Sequence, residues 1–169
     1  MPTATHIPVE EYLHTVYEPD AEFVDGEIQE RNVGEYDHNA VQQALQIWFH
    51  QRGKEWNVRV IPEQRIRVTP TRFRIPDVCV FSRDYAIEQV FTRPPLICIE
   101  VLSPEDRHNR IEERVEDFRR FGVKHIWIVD PKKQAGWDLS SGDWIRATEL
   151  SVAGTPIKVQ LPELFASID

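Results

Sequence analysis

Apolar residues recur along this chain with two different periods, and the switches between them predict its elements. From Tyr36 to Arg52, the residues Val41, Ala44, Leu45, Trp48 and Phe49 fall three and four apart, as on one face of a helix; Gly53 is expected to stop it. A second helix is predicted over 109–121, with Gly122 closing it, and residues 8–17 suit a short helix opened by Pro8. Elsewhere the period is two. EFVDGEIQ reads as a hairpin turning at Asp25-Gly26, because a two-residue turn needs positive φ at both positions. WNVRVI and RIRVT alternate apolar with polar, and Thr69-Pro70-Thr71 turns the chain. FRIPDVCVF and PLICIEVL are apolar at nearly every position and read as strands buried on both faces. HIWIVD follows the second helix and ends at Pro131, and the tail (GWDLS, DWIRATEL, IKVQL) reads as short strands. Helix, strands, helix, strand predicts an α/β fold on a mixed sheet.

Length makes this a single domain over 1–169, since 169 residues can bury roughly 70% of the unfolded surface without metal or disulfide staples. The two cysteines, Cys79 and Cys98, lie inside apolar strands and read as reduced core residues. No apolar run approaches a membrane span, and the first residues lack the basic and apolar regions of a secretory signal, so a cytoplasmic location is expected. The formal net charge of −8 argues against indiscriminate nucleic-acid binding, which rests on Lys and Arg neutralising phosphates. That charge is unevenly spread. Residues 1–37 hold ten acids against the single base Arg31, whereas 52–74 holds seven bases against Glu55 and Glu63. Nucleotide-binding and serine-hydrolase motifs are absent.

Two acids stand where acids are costly. Asp77 and Glu100 each interrupt an otherwise apolar strand, and buried carboxylates are rare unless paired or metal-bound. On alternation Asp77 shares a face with Ile75 and Cys79, and Glu100 with Cys98 and Leu102. If the strands are neighbours, the two carboxylates meet at one point and offer hard oxygen ligands suited to Mg²⁺ or Mn²⁺. The alternative is a structural salt bridge for each, such as Asp77 with Arg74. In the second helix Ile111, Val115, Phe118 and Phe121 share one arc at about 100° per residue, and Arg114 falls within it. An arginine there either reaches an acid such as Glu100 or snorkels to water.

RIPDVCVF, IEVLSPEDR and FRRFGVKHIWIVDP together resemble the bacterial Uma-two family of restriction-endonuclease-like proteins, within the PD-(D/E)XK nuclease superfamily. EFVDGEI resembles that family's Asp-Gly hairpin, and His38 matches a histidine of its first core helix; the similarity covers roughly residues 8–135. The resemblance implies a restriction-endonuclease-like mixed central sheet flanked by helices, with an N-terminal helix and hairpin and a nuclease-like core over about 35–131. It implies that Asp77 and Glu100, with the carbonyl of Val101, hold Mg²⁺ or Mn²⁺, which would activate a water for attack on a phosphodiester.

Superfamily members usually place a lysine two residues after the glutamate; here Leu102 stands there. The resemblance implies a variant in which the lysine comes from the following helix; the matching position here is Arg114. Arginine stays protonated and is a poor proton acceptor. Glu22 and His38 are candidate auxiliary residues, and Arg65, Arg67, Arg72 and Arg74 are candidate contacts for nucleic-acid phosphates. The expected activity is Mg²⁺-dependent DNA cleavage by a homodimer, since cutting two strands suits two-fold symmetry. The competing reading is a degenerate nuclease fold acting as a nucleic-acid-binding or interaction module.

Overall fold

The computed structural model describes residues 6–32 and 34–168. In chain order the elements are α1 (Val9–Leu13), β1 (Ala21–Val24), β2 (Glu27–Glu30), α2 (Tyr36–Trp56), β3 (Val58–Pro62), β4 (Ile66–Thr69), β5 (Arg72–Arg74) and β6 (Val78–Ser82). There follow β7 (Ile97–Val101), α3 (His108–Phe121), β8 (His125–Asp130), β9 (Ala135–Asp138), β10 (Ile145–Ala147), β11 (Glu149–Ser151), β12 (Lys158–Gln160) and α4 (Leu161–Ala166).

Six strands form the central sheet in the order β10-β9-β8-β7-β6-β3. Only β7 and β8 run parallel, joined by α3 as the crossover; the other pairs are antiparallel. Both faces are covered, as the continuous apolar runs require. On one face Leu45 and Phe49 of α2 and Leu164 of α4 pack on Val78, Val80, Ile97 and Ile99. On the other, Val115 and Phe118 of α3 pack on Cys79, Phe81, Cys98 and Ile126. Cys79 and Cys98 face each other across β6 and β7 as free, buried thiols.

A second sheet, β2-β1-β5-β4, carries the hairpin, and Tyr12 of α1 buries against its Phe23 and Phe73. The hairpin turn is as predicted, with Asp25 and Gly26 both at positive φ (49° and 94°) between the paired residues Val24 and Glu27.

The structure departs from the sequence reading at four places. FRIPDVCVF is two strands, not one: β5 belongs to the small sheet and β6 to the central sheet, and the chain changes sheets at Ile75-Pro76-Asp77. Pro76 has no N–H for a ladder, so a break there costs least. Gly53 does not end α2, which runs on to Trp56 and closes with Asn57 in the left-handed region (φ 55°). Gly53 is there for close approach instead, since a Cβ would lie 2.9 Å from the carbonyl oxygen of Val58. The N-terminal helix covers only 9–13, ending before the β-branched pair Thr15-Val16 and Pro19. The short α4, with Pro162 in its first turn, has no counterpart among the elements read from periodicity, which marks only strands in the tail. No helix among the described residues is long and apolar enough to cross a membrane.

Candidate active site

The sheet change at Ile75-Pro76-Asp77 places Asp77 just before β6, and Val78 pairs with Ile99, so Asp77 and Glu100 come together at one end of the β6–β7 pair. Both are buried, at 4% and 5% exposure. They line one cavity of about 370 Å³ together with Val101, Glu22, His38 and Arg114. The sequence-derived site residues outside the arginine strands therefore converge on a single place.

Asp77 is well supplied with partners. Its Oδ2 accepts from the N–H of Val101 at 2.8 Å and lies 3.3 Å from Nε2 of His38. Its Oδ1 accepts from Nη2 of Arg31 at 2.7 Å. The Asp77 carbonyl accepts from Nε2 of Gln42 at 2.9 Å and from the N–H of Glu63 at 3.2 Å, which pins the backbone at the sheet change. His38 and Gln42 are one turn apart on α2, so a single helix face grips both ends of this residue. Burial works against the Asp77 charge, but the hydrogen bond from His38 and the charge of Arg31 outweigh it and hold the carboxyl below its usual value. Conversely, burial disfavours protonated His38, and Asp77 more than offsets this, raising its pKa.

Glu100 is the opposite case. Its Oε1 is 3.0 Å from Nη2 of Arg114, yet the alignment makes no hydrogen bond, and this buried oxygen has no hydrogen-bond partner. Burial, opposed by Arg114 and reinforced by Asp77 and Glu22, pushes the Glu100 carboxyl well above its usual value. Arg114 donates through Nη2 to the Ile75 carbonyl at 3.1 Å, and its Nε lies 3.3 Å from Oε1 of Glu22. Burial opposes its charge, but Glu100, Glu22 and Asp77 prevail and raise its pKa. The acid reached by the arginine on the apolar arc of α3 is thus Glu100, one of the two alternatives that the sequence leaves open. Glu22 is held in turn by the N–H of Ile75 at 2.8 Å.

Arg65, Arg67, Arg72 and Arg74 do not line the cavity. Arg74 is 1% exposed and is held by Asp117 at 2.7 and 2.8 Å, which corrects both its assignment to phosphates and its pairing with Asp77. Arg72 pairs with Asp25 at 2.7 Å and Asp117 at 2.9 Å. Arg65 lies over the ring of Tyr12, and Arg67 lies over Phe73 and donates to the Pro70 carbonyl. The cavity instead carries Arg31, Arg107 and Arg110 beside Arg114. Arg107 and Arg110 are exposed. Periodicity gives no sign of these three. Gln42, by contrast, carries a legible signal, as a polar residue directly after Val41 on the apolar side of its helix.

Among the described residues, no group of three or more His, Cys, Asp or Glu is gathered closely enough to hold a metal ion. The donor set that is present, two carboxylates beside main chain with one oxygen lacking a donor, still fits Mg²⁺. That ion keeps several waters and is commonly bound through one or two carboxylates plus substrate phosphates.

Comparison with known proteins bears on the fold and the family. No curated protein matches the chain. A crystal structure described as that of "a putative nuclease belonging to DUF820", from Anabaena variabilis, is similar with a TM-score of 0.78 at 20% identity, covering 95% of this chain and 98% of the other. That likeness shows the fold, a mixed α/β sheet flanked by helices. The Uma2 family model, "Putative restriction endonuclease", matches residues 9–148, from α1 through β10 and with every cavity carboxylate inside it. Most of the chain, site included, falls within that match, and the chain belongs to the Uma2 family.

Proposed function

We propose that this chain is a Mg²⁺- or Mn²⁺-dependent endonuclease that hydrolyses DNA phosphodiester bonds, with Asp77 and Glu100 as its metal-holding carboxylates. The observation that carries the reading is the Glu100 Oε1: a buried carboxylate oxygen that lies 3.0 Å from Nη2 of Arg114 yet has no hydrogen-bond partner, on a residue that lines one cavity with Asp77. Native structures rarely leave such a group unsatisfied without a use for it. Charge supports the same reading. Seven carboxylates line the cavity against four arginines, so a phosphodiester would be repelled unless a cation entered with it.

When bound, the cation would supply Lewis acidity and lower the pKa of a water. The chain's own residues do the rest. Asp77 and Glu100, with the Val101 carbonyl, hold the charge at the end of β6 and β7. Arg114, kept beside Glu100 by the Ile75 carbonyl and Glu22, stabilises negative charge on the phosphate but takes up no proton. His38 steadies Asp77 from α2. Arg107 and Arg110, at the exposed edge of the cavity, meet phosphates of the DNA backbone. Cleavage of both strands calls for two copies of the chain.

Incubation of plasmid DNA with Mg²⁺ or Mn²⁺, with and without a chelator, tests this reading. Cleavage is expected from the parent protein and not from Asp77→Asn or Glu100→Gln. Metal-dependent cleavage surviving in both variants would overturn it. The arginine at position 114 favours one other reading, a nuclease fold that binds DNA without cutting; binding with no cleavage under either metal would select it.

A further inference from the structure

Asp77 has two oxygens, and neither is free. Oδ2 is committed to the architecture through the Val101 N–H, with His38 beside it. Oδ1 is held by Arg31, at 2.7 Å. Arg31 follows β2, in the stretch that leads into α2, and its side chain is only 14% exposed. Its second terminal nitrogen, Nη1, lies 3.2 Å from Oε1 of Glu63, which is 46% exposed. The next residue is anchored independently, since Asn32 donates to Asp106 at 2.9 Å. Arg31 can therefore leave Asp77 by side-chain rotation alone, with an acceptor already in contact.

Arg114 offers no such freedom. It touches Glu100 rather than Asp77 and is held by the Ile75 carbonyl and Glu22. The two guanidiniums thus differ: Arg114 is held among buried groups only, and Arg31 stands between the buried Asp77 and the half-exposed Glu63.

We propose that Arg31 is the resident cation of the metal-free site and competes directly with a divalent cation for Asp77 Oδ1, moving onto Glu63 when the metal enters. This rests on reading Asp77 and Glu100 as the metal-holding pair. A guanidinium and a divalent ion on one carboxylate oxygen repel each other at about 4 Å, so the two states exclude one another. Arg31 in this role keeps the metal-free pair of carboxylates neutralised and sets the metal concentration at which the site fills.

Calorimetric titration of the full chain with Mn²⁺ tests the competition without any substrate. Arg31→Gln is expected to bind Mn²⁺ at least about fivefold more tightly than the parent, at unchanged stoichiometry; a tenfold change corresponds to about 1.4 kcal/mol. Arg107→Gln removes the same charge from the same cavity without touching Asp77, and its affinity should change less than about twofold. Glu63→Ala leaves the Arg31–Asp77 contact in place but removes the landing acceptor, so it should bind Mn²⁺ more weakly. This third variant keeps the test open should Arg31→Gln fold poorly.

Equal tightening in Arg31→Gln and Arg107→Gln would mean bulk charge alone is at work and would overturn the proposal. So would Mn²⁺ binding that is lost in Glu100→Gln yet indifferent to both Arg31→Gln and Glu63→Ala, with the metal reading left standing. No Mn²⁺ binding by parent or variants would remove the metal reading and this proposal together.

Discussion

Two groups of buried charges lie side by side in this molecule, and they are built differently. In the first, Arg74 is surrounded by acceptors: Asp117 at 2.7 and 2.8 Å, Gln29 at 3.2 Å, Glu113 at 3.4 Å and Glu22 at 3.7 Å. Arg72 joins it through Asp117 and ties the group to Asp25 of the hairpin. The second group is Asp77, Glu100, Arg31 and Arg114, and there Oε1 of Glu100 and Nε of Arg114 have no hydrogen-bond partner. Glu22 belongs to both, 3.7 Å from Arg74 and 3.3 Å from Arg114. Burying a charge is tolerable when its hydrogen bonds are replaced and costly when they are not. Saturation suits the first group to a structural role, fastening the small sheet to α3; the unmet hydrogen bonds of the second are what the proposed metal ion would relieve.

The largest effect should come from breaking the saturated group. Arg74→Met leaves Asp117 buried without its principal partner and is expected to cost about 3–5 kcal/mol in urea denaturation. A loss below about 1 kcal/mol would erase the contrast between the groups. Arg114→Lys keeps the charge but gives up the fork that reaches Glu22, Glu100 and the Ile75 carbonyl, so a loss of about 1–2 kcal/mol is expected. Mg²⁺-dependent plasmid cleavage should nevertheless rise above the parent, because a compact ammonium is the better neighbour for a reacting water. Equal or lower cleavage would make the arginine itself the working group.

Glu100→Gln should change apo stability in the opposite direction, a gain of about 1 kcal/mol near neutral pH, since it removes an ionisable group from a place that penalises its charge. Its effect has a signature in pH. A carboxyl whose folded pKa lies above its unfolded one takes up a proton on folding, so its stabilising contribution is complete below the unfolded value of about 4.5 and fades as pH rises toward the folded value. Denaturation of the parent across that range should show the decline, and Glu100→Gln should flatten it; strong destabilisation by the variant would make Glu100 a structural ion-pair partner. The smallest effect belongs to Asp25, whose pKa is lowered by hydrogen bonds from Arg72 and Thr71. Here the sign reverses, with stability present above the unfolded pKa and lost as pH falls below it. Asp25→Asn, which suits the positive φ of the turn, should cost under about 1 kcal/mol at pH 7 because the pair is half exposed, and nothing near pH 2.

Much of the site is legible in the order of residues alone. A carboxylate inside an apolar strand is conspicuous because burial penalises charge, and that is enough to single out Asp77 and Glu100. Helical periodicity puts Arg114 on the inward side of α3 for the same reason. The four strand arginines fall outside the cavity, because alternation says which residues share a side but not what stands opposite. Arg74 meets Asp117 and Asp77 meets Arg31, across 43 and 46 residues of chain.

What the sequence determined by itself are the local choices: the Asp25-Gly26 turn, the amphipathic faces of α2 and α3, and strands too apolar to be wet on either side. These follow from backbone sterics and burial, which act over a few residues. Only the tertiary structure decided that the chain changes sheets at Pro76, that Val78 pairs with Ile99, and that Arg31 rather than Arg74 meets Asp77. Those depend on register and on which segments are neighbours, and a charge acts on whatever lies within a few ångströms of it, however distant in sequence.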